Sequence, residues 1–504
     1  MTYQVVKTSV LIVGGGPAGL TASLLLSRHG VDSLLIDKRL TGSPLPRARG
    51  VHSRAMEILR VCGVEADLRA VELTITPGAE WRTDLASPPL GEDVPSAGRT
   101  TVSPCEGLSV SQDVFESVLR DHAGSYAAGQ LRAGALLESF QTVGDGVRAT
   151  VLEQTSGRRT DVRARWMIAA DGARSVIRQQ LGIAMNGPDD LSQQTMIAFR
   201  ADLTGLTGAR PRGIYFLTAT GAALIWTHAD DRWVISLPGL VAADEDPAAV
   251  IRHVLGIPDL TPQVLATNPW TAAAQSAAQY THGPVFLAGD AAHRFPPAGA
   301  TGVSAAIHDV HNLAWKVAAV AHGHGGEKLL DSYAAEREPV GRRNAEETGT
   351  AWSRIFSGDG TPFNGRSLAQ IDMGYQYVSA VIVGDGSPDA DPPGTDYQPT
   401  AAPGCRAPHL WLADGTSTVD LFDRRFVLLT AGPGHAWREA AAHCPGVPVD
   451  SHVLAEPAWP DLYGISPDGA VLVRPDGHIA WRSATASTNP AADFRTALTT
   501  STGG

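Results

Sequence analysis

The sequence predicts an α/β protein that combines a Rossmann-like dinucleotide-binding domain, an inserted antiparallel sheet and a small C-terminal unit. Three observations support this fold class. A glycine-rich turn joins a strand-like run to a helical run near the start of the chain, and short strand-like runs fill the middle. A proline- and glycine-rich stretch then precedes a last strand and hairpin. The 504 residues allow about three domains at roughly 100–200 residues each.

The first unit is a strand–turn–helix–strand pattern. Ser9–Val13 is rich in β-branched and aliphatic residues, Leu20–Arg28 contains helix formers, and Ser33–Ile36 predicts a second buried strand that ends at Asp37. The turn between the first strand and the helix carries a GxGxxG motif at Gly14, Gly16 and Gly19. This is the context expected of a dinucleotide-binding fingerprint, in which an acidic residue about 20 positions later contacts a ribose.

The middle of the chain predicts an antiparallel sheet inserted into the first domain. Its four strands are expected at Met196–Ala201, Gly213–Leu217, Ala223–His228 and Trp233–Leu237. The chain then returns to the first domain with a buried strand and a helix, expected over residues 285–288 and 303–321.

The last hundred residues predict a separate unit with a strand at Phe426–Thr430 and a hairpin that turns at Asp476-Gly477. The predicted organisation has five segments: residues 1–185 and 281–385 for the two parts of the first domain, 186–280 for the inserted sheet, 386–408 for a linker and 409–504 for the C-terminal domain.

Composition argues against several classes of protein. The 40 basic and 52 acidic side chains give a net charge of −12, which disfavours binding to nucleic acid or to an anionic membrane. The four cysteines contain no CxxC pair, so zinc-ribbon, iron–sulfur and dithiol chemistry are excluded. No apolar run is long enough to span a bilayer, and we expect a cytoplasmic protein.

Two further segments make the prediction specific. Ala169–Ser175 (AADGARS) follows one predicted strand, and Gly289–His293 (GDAAH) follows another and continues into Phe295–Gly302 (FPPAGATG). With the N-terminal glycines, these motifs resemble the three fingerprints of the group A FAD-dependent aromatic hydroxylases, the p-hydroxybenzoate hydroxylase and phenol hydroxylase family. The length and C-terminal region are most similar to hydroxylases of aromatic polyketides, such as the aklavinone and angucycline hydroxylases.

The resemblance implies a Rossmann-like FAD-binding domain, an inserted antiparallel-sheet substrate domain and a C-terminal thioredoxin-like domain that lacks CxxC. It also implies which residues bind FAD non-covalently. These are Gly14, Gly16 and Gly19 at the pyrophosphate, with their neighbours Pro17 and Ala18, and Asp37 at the adenosine ribose, with its neighbour Lys38. The others are Arg47 near the flavin and its phosphates, Gln112 and Asp290 at the ribityl chain, and Gly299, Gly302 and Val303 at the ring.

Alternatives remain for some of these positions. Arg49 or Arg54 could take the place of Arg47, while Asp171 and Arg174 belong to a motif that the family associates with both FAD and NAD(P)H. The sequence departs from the family twice. Asp37 replaces the usual glutamate, and Gly302-Val303-Ser304 replaces the common GMN.

The implied function is an NAD(P)H-consuming monooxygenase that hydroxylates a small aromatic substrate with O₂ through a C4a-hydroperoxyflavin. NADPH or NADH would bind transiently, because there is only one dinucleotide fingerprint. No catalytic side chain is required; Tyr215, Trp226, Phe295 and Pro297 are the pocket candidates. We predict no metal site, since His308 and His311 are a chance pair among 16 histidines, and a homodimer is expected.

Three other functions fit parts of the pattern. A Baeyer–Villiger monooxygenase of the same fold would insert oxygen beside a ketone. A flavin halogenase would carry WxWxIP, whereas Trp233–Pro238 contains only one of the two tryptophans. A non-catalytic FAD-binding protein would share the cofactor site and lack turnover.

Overall fold

The computed structural model describes residues 4–42, 49–91, 101–126, 128–242, 244–357, 365–392, 396–444 and 446–504. The strands of the first half are β1 (Gln4–Val13), β2 (Ser33–Asp37), β3 (Gly50–Val51), β4 (Thr76–Arg82), β5 (Leu108–Ser109), β6 (Gly129–Ala133), β7 (Ala135–Val143), β8 (Gly146–Glu153), β9 (Arg159–Ala169), β10 (Met185–Asn186), β11 (Ser192–Arg200), β12 (Arg212–Leu217), β13 (Ala222–His228) and β14 (Arg232–Pro238). Those of the second half are β15 (Gln263–Ala272), β16 (Gln275–Ala277), β17 (Thr281–His282), β18 (Val285–Leu287), β19 (His293–Arg294), β20 (Phe426–Thr430), β21 (Val449–Val453), β22 (Ala470–Val473) and β23 (Ile479–Ser483).

The α-helices alternate with these strands through the chain. They are α1 (Pro17–Arg28), α2 (Ser53–Val61), α3 (Glu65–Ala70), α4 (Gln112–Ser125), α5 (Val176–Gln180), α6 (Thr204–Thr207), α7 (Pro247–Leu255), α8 (Thr301–Ala321), α9 (Lys328–Ser357), α10 (Leu368–Met373), α11 (His435–Ala442), α12 (Trp459–Tyr463) and α13 (Pro490–Ser501). Among the described residues, no helix is both long and apolar enough to cross a bilayer.

The largest sheet contains the predicted dinucleotide-binding strands. Its order is β17-β18-β9-β1-β2-β6, with β8 and β7 added through β9, and the neighbours from β18 to β6 run parallel. Val13 pairs with both Ala169 and Ile36, and Leu287 also pairs with Ala169. The carboxyl ends of four strands therefore meet at one edge, which brings the three sequence motifs together.

The inserted sheet has the order β15-β11-β14-β13-β12-β4, and the four strands expected from the sequence are all present. Its edge strand β4 comes from residues 76–82 and pairs parallel to β12, which the sequence pattern does not indicate. Helix α7 covers one face of the sheet and buries a cluster of apolar side chains there. The opposite face keeps partly exposed apolar side chains.

The C-terminal region forms a four-stranded sheet of order β21-β20-β22-β23, in which only β20 and β21 are parallel. The predicted linker 386–408 includes a buried stretch, residues 401–407, instead of crossing open solvent. Gly404 donates to the carbonyl of Ile479 and accepts from Tyr377, so this stretch ties the C-terminal sheet to the preceding chain.

Buried ion pairs join the C-terminal region to the first domain. Arg406 contacts Glu57 with two of its guanidinium nitrogens, Nε and Nη2, and Arg54 donates to the same carboxylate at 2.8 Å. In a second cluster, Glu336 accepts from Lys316 and Arg474 at 2.7 Å each. These pairs satisfy charges that would otherwise be costly to bury.

We expect these carboxylates to make the protein acid-labile. Burial raises the pKa of Glu57 and Glu336, but their arginine and lysine partners outweigh it and lower both pKa values from 4.5 to about 2. The stabilisation is therefore complete above pH 4.5 and is lost as the pH falls toward 2. Urea unfolding between about pH 7 and about pH 3 measures this loss. A Glu57→Gln variant should show a shallower dependence on pH, and an equal slope would contradict the assignment.

Candidate active site

The glycine turn after β1 leaves an open surface at the start of α1. Gly14 has a φ of +111°, and a Cβ at Gly14 or Gly19 would collide with the carbonyl oxygen of Ala170 or Gly14, respectively. These two glycines are therefore required by packing. A Cβ at Gly16 would meet no atom within 4 Å. Gly16 lies immediately before Pro17, where free backbone N–H groups of a helix favour a phosphate.

The carboxylate of Asp37 lies directly behind this turn at the end of β2. It accepts from the backbone N–H of Arg39 at 3.0 Å, and Arg120 lies 3.6 Å from its other oxygen. A Cβ on Gly15 would touch the same carboxylate, so the two are in close contact. Lys38 is exposed. Asp37 is thus adjacent to the glycine turn, and its contact with an adenosine ribose stays a prediction.

The motif at Ala169–Ser175 makes contacts mainly within the protein. Asp171 accepts from the backbone N–H of Ile177 at 3.2 Å, and Arg174 is exposed. The contact that links the motifs comes from Arg178, whose guanidinium donates to the carbonyl of Ala291 at 2.9 Å. Arg178 has no signal in the sequence, because its partner lies 113 residues away.

The motif at Gly289–His293 contacts both α1 and α8. A Cβ on Gly289 would lie 3.1 Å from Ala18 of α1 and 3.2 Å from Ala306 of α8, so the two helices approach each other through this glycine. The backbone N–H of Gly289 donates to Asp309 at 3.0 Å. The side chain of Asp290 is exposed at the same edge.

Behind Gly289 lies a fully buried cluster of charged groups. Asp309 contacts His293 Nε2 at 2.7 Å and accepts from Arg337 Nε at 2.8 Å. Burial opposes ionisation of Asp309, yet His293 and Arg337 lower its pKa below the usual range. His293 thus packs in the core, and its ring stacks on Phe295 with centroids 4.5 Å apart.

The segment from Phe295 to the start of α8 lies over the same edge. Pro297 is exposed, and a Cβ on Gly299 would lie 2.8 Å from Leu368. Ala300 has a φ of +53°, a left-handed conformation that costs about 1–2 kcal/mol for a non-glycine residue.

Helix α8 then begins at Thr301, and a Cβ on Gly302 would meet no atom within 4 Å. Val303 packs against the core as a partly buried side chain. The Ser304 hydroxyl accepts from the backbone N–H of His52 at 3.0 Å. The serine that replaces the family asparagine therefore positions the β3–α2 junction.

Gln112 begins α4, a helix that contacts α1. Its Nε2 donates to Glu116 at 2.6 Å, so the carbonyl oxygen of the amide can accept from a ligand. The next residue, Asp113, contacts His228 Nε2 at 2.9 Å and so connects α4 to the inserted sheet. Arg47 lies outside the described residues.

Together these groups fit one long dinucleotide. The glycine turn offers backbone donors to a pyrophosphate, Asp37 and Asp290 offer carboxylates to hydroxyl groups, and the start of α8 offers N–H groups to a negatively charged ring system. The buried hydroxyl of Thr301 has no partner in the described part of the chain.

Comparison with known protein families identifies the dinucleotide that this site binds as FAD. The family model described as an FAD binding domain matches residues 7–348, and the one described as aromatic-ring hydroxylase, C-terminal, matches residues 400–504. This chain belongs to the FAD-dependent aromatic-ring hydroxylases. The matches cover both the dinucleotide-binding part and the C-terminal sheet.

Individual relatives are similar to this hydroxylase along most of its length. The chain is 37% identical to tetracenomycin B2 monooxygenase-dioxygenase of Streptomyces olivaceus, with 97% of each chain covered. It is 34% identical to aklavinone 12-hydroxylase of Streptomyces peucetius over 85% of this chain and 92% of the relative. Among solved structures, a ternary complex of aklavinone-11 hydroxylase with FAD and aklavinone superposes with a TM-score of 0.88 at 30% identity, covering 98% and 99% of the two chains. The hydroxylase is thus an FAD-dependent monooxygenase.

The inserted sheet of the hydroxylase presents a different face from the one expected. Tyr215 and Trp226 lie in the apolar core under α7, and the Tyr215 hydroxyl accepts from the backbone N–H of Arg212. Because side chains alternate along a strand, their neighbours Ile214, Phe216 and Ile225 point to the other face. These partly exposed residues, and not the two predicted aromatics, form the open apolar wall.

The histidines of α8 belong to the core of the hydroxylase. His308 is buried and His311 is partly buried, and burial lowers the pKa of each well below its usual value. Nε2 of His308 lies 3.6 Å from a carboxylate oxygen of Asp372. Within the described ranges, no group of three or more His, Cys, Asp or Glu side chains could hold a metal ion.

We expect Asp290→Ala to weaken FAD binding while leaving the fold intact. The carboxylate is exposed, so its loss removes acceptors for the cofactor hydroxyls, each worth about 1.5–3 kcal/mol, without opening a cavity in the core. Titration of the apoprotein with FAD measures the effect. The matched control is Asp145→Ala, which removes an equally exposed carboxylate from the β7–β8 turn. Full flavin occupancy in Asp290→Ala would contradict the assignment.

Proposed function

We propose that the hydroxylase inserts one oxygen atom into a planar polycyclic aromatic substrate of the polyketide type. The observation that supports this most directly is the broad apolar face of the inserted sheet beside the flavin-binding loop. Ala298 of that loop packs in one cluster with Ala272, Trp270 and Trp352, so β15 lies next to the loop.

The size of this face suits a fused-ring substrate. Six strands give a width of about 24 Å at about 4.8 Å per spacing. Trp81 stacks on Phe216 at one end, with ring centroids 4.3 Å apart, and Trp270 meets Trp352 edge-on at the other, with centroids 5.8 Å apart. Flat aromatic side chains bind flat aromatic ligands by stacking. A single phenol ring would contact only a small part of this wall.

The protein contributes binding, orientation and exclusion of water. When bound, FAD would supply the redox chemistry, with NAD(P)H as reductant and O₂ as the source of the inserted oxygen. The Gly14–Gly19 turn and α1 would hold the pyrophosphate, and Asp37, Gln112 and Asp290 would accept from cofactor hydroxyls. The start of α8 stabilises negative charge on the reduced ring, while the apolar sheet face keeps water from the reacting atoms.

One other reaction would use the same site. A Baeyer–Villiger monooxygenase of this fold would use the same wall to orient a cyclic ketone. The names of the relatives favour hydroxylation, since both aklavinone enzymes are hydroxylases.

The test measures NADPH or NADH oxidation by the FAD-loaded protein with hydroxylated anthraquinones, naphthacenes and simple phenols. We expect the polycyclic compounds to stimulate oxidation and to yield a product with one added oxygen, located on a ring carbon by NMR. Oxygen beside a ketone would indicate the Baeyer–Villiger reaction, and absence of stimulation by any compound would contradict the proposed substrate class.

A variant of the sheet tests where the substrate binds. Ile225→Trp fills the open face and should raise the KM for the aromatic substrate without changing FAD content, because Ile225 is partly exposed. The matched control is Val264→Trp on the exposed edge strand β15. A homodimer and a cytoplasmic location stay predictions from the sequence; light scattering on the purified protein tests the first.

A further inference from the structure

Arg49 is a largely buried guanidinium that has no anionic partner among the described residues. No carboxylate in those parts of the chain lies within 4 Å of it, and its Nη1 is shielded from solvent and has no hydrogen-bond partner there. Burial without a compensating charge lowers the pKa of Arg49 to about 10. An unpaired buried cation is costly, so its presence requires an explanation.

Other buried arginines have partners. Arg54 and Arg406 contact Glu57, while Arg337 and Arg474 contact Asp309 and Glu336. Buried Arg178 has no carboxylate within 4 Å among the described residues, but its guanidinium donates to the carbonyls of Ala291 and Ala173. Nη1 of Arg49 has neither kind of partner in the described part of the chain.

The surroundings of Arg49 place it at the substrate end of the site. A Cβ on Gly213, at the start of β12, would lie 2.6 Å from the guanidinium carbon, so the arginine packs against bare backbone next to Ile214 of the open face. The next residue in the chain, Gly50, approaches Ala300 at the start of α8, where a Cβ would lie 3.7 Å from that alanine. The Arg49 guanidinium is thus next to the sheet, and the backbone that carries it is next to the helix start.

This position is separate from the pyrophosphate site. The glycine turn meets α8 through Ala18, Gly289 and Ala306. Ala306 is six residues beyond Ala300, which corresponds to about 9 Å along a helix at about 1.5 Å per residue. The Arg49 backbone is therefore near the helix start and its guanidinium near β12, beside the sheet face where the substrate ring is proposed to bind.

We propose that Arg49 forms an oxyanion subsite that binds an ionised phenol or carboxylate of the aromatic substrate. This inference rests on the proposed function and specifies the substrate as one that carries an acidic oxygen. A cation beside a phenol favours its ionised form, with the proton released to water. An ionised phenol is more electron-rich and accepts an electrophilic oxygen atom more readily. Arg49 would thus both orient and activate the ring.

The test uses 1,2-dihydroxyanthraquinone as the probe, because its colour reports ionisation. The probe is titrated with pH on the FAD-loaded protein without NAD(P)H, so no turnover is needed. We expect the wild-type protein to lower the pKa of the bound probe by about 1 or more, as expected for an adjacent arginine. Arg49→Met should remove the shift, and Arg49→Lys should retain part of it.

Gly213→Ala gives an independent test that leaves Arg49 in the chain. The added methyl would occupy the place of the flexible guanidinium and should displace it, so the probe shift should fall as in Arg49→Met. The matched control is Arg200→Met, an exposed arginine of β11 paired with Asp230, which should leave the shift unchanged.

FAD affinity of the apoprotein and the KM for NADPH distinguish the source of the oxyanion. If Arg49→Met weakens either by about tenfold, equivalent to about 1.4 kcal/mol, and leaves the probe pKa unchanged, Arg49 serves a cofactor phosphate and the inference is overturned. An unshifted or unbound probe in the wild-type protein also overturns it. The proposed function fails separately, when no aromatic compound stimulates NAD(P)H oxidation.

Discussion

Replacing Gly16 with valine is expected to give a folded protein that contains almost no FAD. A Cβ at this position meets no protein atom within 4 Å, so the apoprotein has room for the side chain. That room is the space over the first turn of α1 where the pyrophosphate would approach the backbone. Loss of two hydrogen bonds to a charged phosphate, at about 1.5–3 kcal/mol each, weakens binding by at least about 100-fold.

FAD titration of the refolded apoprotein, followed by flavin fluorescence, measures this effect, and circular dichroism checks the fold. Gly124→Val is the matched control, because a Cβ at Gly124 in α4 also meets no atom within 4 Å. It should bind FAD normally. Equal FAD content in Gly16→Val and the wild-type protein would show that the pyrophosphate lies elsewhere.

Asp309→Asn is expected to cause the largest loss of stability among single changes near the site. The carboxylate is fully buried between His293 and Arg337, and the substitution leaves the arginine charge without its counter-ion. Removal of one partner from a buried pair costs about 3–5 kcal/mol. Because Asp309 also accepts from the N–H of Gly289, the third motif should lose its position and FAD affinity should fall as well.

Urea unfolding of the apoprotein and FAD titration together test this prediction. Glu338→Gln provides the control, since Glu338 is on the same helix as Arg337 but pairs only weakly with Arg342, which is 3.9 Å away and largely exposed. Its effect should stay within about 0.5 kcal/mol. A similar loss in both variants would mean that the buried pair does not stabilise the site.

The sequence is most informative where the chemistry depends on local spacing. Gly14, Gly16 and Gly19 follow a strand and precede a helix, and this contiguous pattern specifies both the turn and the helix start. The motif at Gly289-Asp290 is recognisable in the same way. A similar run at residues 432–437 lacks the third glycine; Trp437 takes that position and is buried against Trp481.

Contacts between distant residues leave no such signal. Arg406 meets Glu57 across 349 residues, so the predicted linker contains a buried ion-pair partner. Likewise, nothing in the sequence joins Asp309 to Arg337, or marks Arg49 as a guanidinium that no described carboxylate neutralises. Pairing of buried charges depends on how whole elements pack, which the local composition does not encode.

Short local patterns, with residues at fixed spacing, are enough to specify the cofactor-binding strands, their turns and the family of this hydroxylase. Which face of the inserted sheet stays open follows from packing instead. Side chains on a strand alternate, and irregular register near Gly213 and Trp226 obscures the alternation in the sequence. Helix α7 covers the face that contains Tyr215 and Trp226, and the opposite face is left for the substrate that we propose.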